Sequence, residues 1–371
     1  MTRRNHILIV GASGVIGTGA VEHFTGLGGW EVTAISRRPP VVADDGFFSH
    51  LPLDLTDPER CCAVIGGLRP VTHLIYAAVA EAPGLSGGWY DRELIAANGA
   101  MFANVIDPLS VHGSLGHVSL LQGAKAYGAH HHPVEVPCRE DQSRDDHPNF
   151  YWLHEDRLRL RAREAGFAFT IFRPQVLLGA APGAAMNPVA PIGAYAALCR
   201  ELGRPFAFPG QSASLLELVD TDLLAEAFAW AATEPAAADQ TFNITNGDIL
   251  VLAHAWPYLA ERLKLPVEGE PPSTLSAFFA EPEVQSAWRD LAERHDLRFA
   301  ELADLLGQSH HYVDLLLGQR LADKASPVLL DTIKIRRAGF HGFRDSRHSL
   351  MHWLQRMVEL GLLPPLTLGA N

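Results

Sequence analysis

Short apolar runs alternate with longer stretches of helical spacing through the first half of the chain. HILIV (6–10), EVTAIS (31–36), FSHLPLD (48–54), THLIYAA (72–78), GHVSLL (116–121) and FAFTIF (167–172) are β-rich and bounded by Gly, Pro or polar residues. Strands separated by helix-length segments predict a parallel sheet covered by helices on both faces. TFNITNG (241–247) adds a further strand candidate. After about residue 180 the pattern changes: AAPGAAMNPVAP (180–191) reads as an irregular crossing, and the region beyond about 250 is largely helical. Between Glu283 and Lys324, Val284, Trp288, Leu291, Leu302, Leu305 and Leu306 fall at helical intervals and predict a helical hairpin or pair. The expected architecture is a Rossmann-type doubly wound sheet over 1–180, with 220–247 returning to it. A smaller, mainly helical lobe over 181–219 and 248–371 would bind substrate or act as a lid.

Composition narrows the function classes. The chain has 371 residues, 47% of them hydrophobic, which is enough for one large core or two modest ones. Its 30 basic and 42 acidic residues give a net charge of -12, which argues against a nucleic-acid partner. The apolar runs are broken by Gly and Pro below the roughly 18–20 residues that span a bilayer, so no membrane segment is expected. The N-terminus enters a strand-like run directly, without a signal-peptide pattern, which predicts a cytoplasmic protein. Four cysteines in neither a disulfide framework nor a zinc spacing are expected to be reduced thiols.

The strongest local motif is ILIVGASGVIGTGAVEHF. Gly11, Gly14 and Gly17 follow an apolar strand and open a helix whose first turn, with Ser13, Val15 and Ile16, can present N–H groups to a pyrophosphate. The second strand ends in Ser36, Arg37 and Arg38, where an acidic residue would accept the ribose hydroxyl of NAD; two guanidiniums favour the 2'-phosphate of NADPH. Asp54 and Leu55, after the third strand, are candidates to border the adenine, and Asp57 to cap the next helix.

In NFYWLHED (149–156), Tyr151 has the setting of a proton donor, but a free phenol titrates near ~10. Short-chain dehydrogenases usually place a lysine four residues after such a tyrosine; here that position is Glu155. Lys125, just past the fifth strand, lies at the sheet edge where ligands bind in open α/β folds and could supply the cation.

GASGVIG, ISRRPP, LLQGAKAYG, PNFYWLHED, FRPQVLLG, TFNITNGD and GFHGFRDSRHSLMHWLQRM follow one another over nearly the whole chain. In these motifs the chain resembles the progesterone 5β-reductase / iridoid synthase-like (PRISE) family, an atypical branch of the extended short-chain dehydrogenase/reductases. The resemblance implies Tyr151 and Lys125 as the catalytic pair, both also touching the cofactor. It implies Ala78, Val79, Leu121, Leu177, Ala184, Ala185 and Met186 as cofactor neighbours, and a homodimer as a possible assembly. It implies NADPH-dependent 1,4-reduction of an enone, steroid-like or small, with hydride delivered to the β-carbon while Tyr151 stabilises the enolate oxygen. Trp152, AYGAHHHP and the small Val79 depart from the plant members, so substrate identity does not carry over.

Several residues have two readings. Tyr127 is a rival donor or a pocket-lining residue; Phe340, His341 and Phe343 either wall the substrate site or pack internally. His130, His131 and His132 are expected to form a solvated loop and not a metal site, because consecutive side chains diverge. Arg173 and Pro174 are expected to organise a turn, and Asn98, Met101 and Phe102 to pack in the core or between subunits. Besides enone reduction, the same residues admit a ketone or aldehyde reductase, a sugar-nucleotide epimerase or dehydratase, and a non-catalytic NADP-binding sensor.

Overall fold

The structure is a computed structural model, and it describes residues 5–43, 47–81, 87–210, 214–318 and 327–366. All seven strand candidates form: β1 (Asn5–Val10), β2 (Trp30–Ser36), β3 (Phe48–Pro52), β4 (His73–Tyr76), β5 (His117–Leu121), β6 (Ala168–Pro174) and a seventh, Gln240–Ile244. They make one parallel sheet, in the order Gln240–Ile244, β6, β5, β4, β1, β2, β3. The chain order reverses between β1 and β4, in register from Ile7 opposite His73 to Val10 opposite Tyr76. At such a switch point the connections diverge to opposite faces and leave a crevice at the strands' C-terminal ends.

The intervening helices follow local signals. Helix α1 (Val15–Leu27) begins at the glycine turn, and α2 (Pro58–Gly66) is capped by Asp57, which accepts from the Arg60 N–H at 3.0 Å. Asp91 caps α3 (Arg92–Val111), and Asn149 caps α4 (Phe150–Ala165). Leu8, Val10, Tyr76, Phe102, Val105, Ile106, Val118, Leu120, Leu158 and Ile171 form part of the core joining sheet and helices. Helix α3 corrects one expectation: at 20 residues it is long and apolar enough to cross a membrane. It packs on α2 and α4, with Asn98, Met101 and Phe102 buried and Asp107 paired to Arg157 and Arg161.

Two compact units emerge. The first holds residues 1–175, 221–245 and 330–343; the second holds 176–220, 246–329 and 344–371. Segment 330–343, assigned from sequence to the lobe, thus lies in the sheet unit. Asn243 anchors it: its Nδ2 donates to the carbonyls of Cys138 and Asp331, each at 3.0 Å, and its N–H donates to Glu140 at 2.7 Å.

The second unit has two small two-stranded pairings, Val176–Leu178 with Leu218–Asp220 and Leu215–Leu216 with Leu250–Val251. Its helices include Val189–Glu201, Leu252–Leu263, Pro282–Arg294, Leu302–Leu306 and Ser309–Leu316; the end of the expected hairpin, 319–324, lies outside the described residues. Phe206 stacks on Trp256 at 4.5 Å, and the indole N–H donates to the Phe206 carbonyl. The motifs around Asn246 and Ser346 meet here: Asn246 Nδ2 donates to Ser346 Oγ at 3.1 Å, and Ser346 Oγ donates to Asp248 at 2.5 Å.

Gly17 shows how tightly the sheet unit's turn is built. A Cβ on Gly17 would lie 2.2 Å from the Gly11 carbonyl oxygen, which is backbone and cannot yield cheaply. Gly17→Ala is therefore expected to lower unfolding free energy by about 1–3 kcal/mol, measured by urea denaturation, whereas Gly26→Ala, where a Cβ meets nothing, should not.

Candidate active site

At the switch point, Gly11 adopts φ +85°, and a Cβ there would sit 2.6 Å from the Ala78 N. Both the left-handed backbone and the close approach to the end of β4 require glycine. Gly14 is the N-cap of α1 with no side chain capping the helix, and the first turn carries no acidic residue. The first N–H groups and the positive end of the helix dipole are thereby left for an anion, which fits a dinucleotide pyrophosphate. Val15 is buried, while Ser13 and Ile16 remain partly exposed beside the turn.

At the end of β2, the Ser36 hydroxyl donates to the Arg38 carbonyl at 2.6 Å and shapes a turn that leaves Arg37 and Arg38 exposed. Asp54 accepts from the Thr56 N–H and hydroxyl at 3.0 and 2.8 Å. Those bonds hold its carboxyl below the usual range, with the Arg37 charge adding to them. Leu55, expected beside the adenine, instead turns into the sheet core.

Lys125 and Tyr151 are brought to one place at the end of β5. Lys125 lies in a 3-10 turn, Ala124–Tyr127, and Tyr151 in the first turn of α4. Asn149 joins the two segments: its Nδ2 donates to the Lys125 carbonyl at 3.2 Å, and its Oδ1 accepts from the Tyr151 N–H at 3.0 Å. Trp89 completes the cluster, with the Lys125 ammonium 3.7 Å from its ring centroid and the Tyr151 ring 5.4 Å away. The Tyr151 hydroxyl lies over Gly123, 3.3 Å from where a Cβ would project, so the glycine makes room for the phenol.

The electrostatics differ from the sequence expectation. Burial pushes the Tyr151 phenol well above its ordinary value, the Glu81 carboxylate pushes the same way, and the Arg173 cation opposes them. The phenol therefore stays protonated at neutral pH. Burial lowers Lys125 to about 8, against the pull of Glu81. Arg173 is more than a turn organiser: buried, it donates to Gln122 at 2.8 Å, and Gln122 donates to Glu155 at 3.0 Å. Glu155, at the position of the usual lysine, also accepts from Arg159 and pairs with Arg144, so it anchors α4.

Other candidates divide. Tyr127, considered for the substrate site, is buried with its hydroxyl donating to Asn243 at 2.6 Å. Phe340, considered for the same site, is buried against Trp230 at 5.5 Å. His341 and Phe343 are exposed, as is Val79, and Leu121 is partly exposed at the end of β5. Leu177, Ala184, Ala185 and Met186 are partly exposed within the second unit. His130 is half-buried against Trp89 at 5.7 Å, contrary to the solvated loop expected for it.

Sequence reasoning missed Trp89, Glu81 and Asn149. The asparagine immediately before Phe150 carried a usable N-cap signal, whereas Trp89 and Glu81 lie in a connection with no distinguishing pattern. Asn98 fixes that connection, accepting from the Ala80 N–H at 2.8 Å and donating to the Ala80 carbonyl at 2.9 Å.

Comparison with known proteins gives a match to the NAD dependent epimerase/dehydratase family over residues 7–245. The chain is 30% identical to the (S)-8-oxocitronellyl enol synthase of Antirrhinum majus, covering 98% of this chain and 94% of that one. It is 29% identical to the 3-oxo-Delta(4,5)-steroid 5-beta-reductase of Arabidopsis thaliana, covering 96% and 92%. Among solved structures, the Bordetella bronchiseptica enzyme WbmH in complex with NAD+ is similar at TM-score 0.65 and 17% identity, covering 96% and 99%. UDP-glucose 4-epimerase from Thermotoga maritima with UDP-glucose is similar at TM-score 0.65 and 16% identity, covering 95% and 99%. These two likenesses establish the shared fold.

The low Lys125 value predicts a pH signature. An unfolded lysine stays charged up to about 10.5, whereas the folded one loses its proton near 8. The burden of a buried charge is fully present below pH 8 and is relieved as pH rises to 10.5, so stability contributed at this site rises with pH across that window. Contact with Trp89 offsets part of it. Lys125→Met is expected to stabilise the protein at pH 7 by on the order of 1–3 kcal/mol and to remove this rise, measured by denaturation at pH 7 and 10.

Proposed function

Because the chain belongs to the NAD dependent epimerase/dehydratase family, we propose that within it the protein is an NADPH-dependent reductase that saturates the activated C=C bond of an enone. The observation that carries this is the protonated Tyr151 hydroxyl over Gly123 at the mouth of the sheet, with the Lys125 backbone tied through Asn149 to the start of the same helix. Full-length relatives that include an enol synthase and a 3-oxo-Delta(4,5)-steroid 5-beta-reductase support the same reading.

NADPH would supply hydride to the β-carbon. Gly11, Gly14 and Gly17 would hold its pyrophosphate on the α1 N-terminus, and Arg37 with Arg38 would pair its 2'-phosphate. As charge develops on the carbonyl oxygen, the Tyr151 O–H strengthens its hydrogen bond to it. A phenol kept neutral suits this work, because it must donate and not deprotonate. Arg173 and Lys125 place positive charge around the forming enolate in a site of low dielectric, where it acts strongly. Protonation of the α-carbon completes the reaction. Lys125 would also hold the nicotinamide ribose. Glu155 in place of the usual lysine separates this site from one with tyrosine and lysine on a single helix.

The deciding experiment is NADPH consumption against small enones, steroid enones, aldehydes and ketones, with products identified. Saturated carbonyl products are expected; alcohols with the alkene intact would overturn enone reduction in favour of carbonyl reduction. Tyr151→Phe should lower kcat by about a hundred- to a thousandfold with NADPH affinity unchanged, read by stopped-flow turnover and fluorescence titration. Arg37→Ala with Arg38→Ala should weaken NADPH by about tenfold or more while leaving NADH binding nearly unaltered; equal losses would remove the 2'-phosphate clamp.

A further inference from the structure

A second constellation stands beside the Lys125–Tyr151 cluster, and no part of the proposed reaction uses it. His130 and His131 follow the Lys125 turn in sequence, and His147 arrives from the segment just before α4. One ring nitrogen from each lies within 4.8 Å of the others, and the rings are 4.6–4.8 Å apart by centroid. His132, expected to diverge, does so and binds Asp145 through Nε2 at 2.5 Å. The tertiary fold thus replaces the third consecutive histidine with His147.

Four details bear on what this cluster holds. Both ring nitrogens of His130 are buried without a hydrogen-bond partner, a costly arrangement for a group with one donor and one acceptor. His147 Nδ1 contacts the Asp145 carboxylate at 2.5 Å, which sets the tautomer and leaves the lone pair on Nε2. A carboxylate behind an imidazole is the arrangement that orients histidines on metals. The Asn149 amide lies 3.3 Å from that Nε2 but also donates to the Lys125 carbonyl, so it keeps an acceptor if the lone pair is taken. Gly128, at φ +79°, permits the fit: a Cβ there would lie 2.6 Å from the Asp145 carboxylate and 2.7 Å from His132 Nε2.

We propose that His130, His131 and His147 form a binding site for a divalent transition-metal ion of the Zn2+ type, with a fourth position open to water. Imidazole nitrogens suit Zn2+, Ni2+ and Cu2+ over Mg2+ or Ca2+. Zn–N bonds of about 2.0–2.1 Å set ligand nitrogens roughly 3.4 Å apart, so the cluster closes by side-chain rotation, for which the exposed His131 has room. The bound ion cross-links the loop after Lys125 to the segment that caps the Tyr151 helix. It is therefore a clamp on the geometry of the neighbouring site, not a reactant in it.

The test uses the full chain without a polyhistidine tag, dialysed against micromolar ZnCl2 and then metal-free buffer, with elemental analysis and thermal denaturation. One retained ion per chain and a raised Tm are expected. His131→Ala, an exposed position, should lose both while keeping the wild-type circular dichroism spectrum. His112→Ala, exposed at the end of α3, should retain them. Absence of a retained ion in the wild type, or the same ion content in His131→Ala and His147→Gln as in the wild type, would overturn the proposal. Because the readouts are stoichiometry and Tm, the outcome is independent of whether enone reduction holds.

Discussion

Lys125 and Tyr151 belong to separate pieces of chain, and the Asn149 side chain is what makes them neighbours. Its amide reaches the Lys125 carbonyl while its oxygen caps the first turn of α4. One residue thus ends a loop, starts a helix and ties the backbone of Lys125 to that of Tyr151. Trp89 fills the space beside them, so that cation and ring meet over an apolar surface and not in water. The position of Asn149, immediately before an aromatic pair, is a local sequence feature; its bond to Lys125 is a property of the folded chain.

The electrostatics follow from that enclosure. In low dielectric both ionisations become costly: burial makes the ammonium easier to deprotonate and the phenol harder. Glu81 favours the charged lysine and opposes the tyrosinate, while Arg173 works in the other direction on the phenol. The buried polar row from Arg173 through Gln122 to Glu155 satisfies groups that would otherwise be unpaired beneath α4. A glutamate in the usual lysine position thereby gains a structural task. The neutral phenol suits hydrogen-bond donation to a forming enolate better than proton abstraction.

Some of the motifs that carry the family resemblance hold the fold together. TNGD and RDSRHS lie a hundred residues apart, as the Asn246–Ser346 bond records, and they lock together within the second unit. Asp345 caps the helix Ser346–Glu359, and Ser349 donates to Asp220 at 2.6 Å. In the sheet unit, Asn243 gathers Tyr127, Cys138 and Asp331 around its side chain and Glu140 at its backbone N–H. Polar residues there are retained by the demand that buried donors and acceptors be paired.

The seven strands, the glycine turn, the Asp57 helix cap and the paired arginines after β2 were legible from sequence alone. Each depends on residues close together in the chain: apolar runs, a tight turn, a capping side chain. The length of α3 was not recognised, because Pro108 and polar residues interrupt an apolar surface that is continuous only once wound into a helix. Tertiary structure alone decided that Arg173 opposes Glu81 at the Tyr151 phenol and that Trp89 covers Lys125. It also buried Tyr127 and Phe340, and brought His147 to His130 and His131. Those outcomes rest on burial and through-space charge between remote segments, quantities that have no value until the chain is folded.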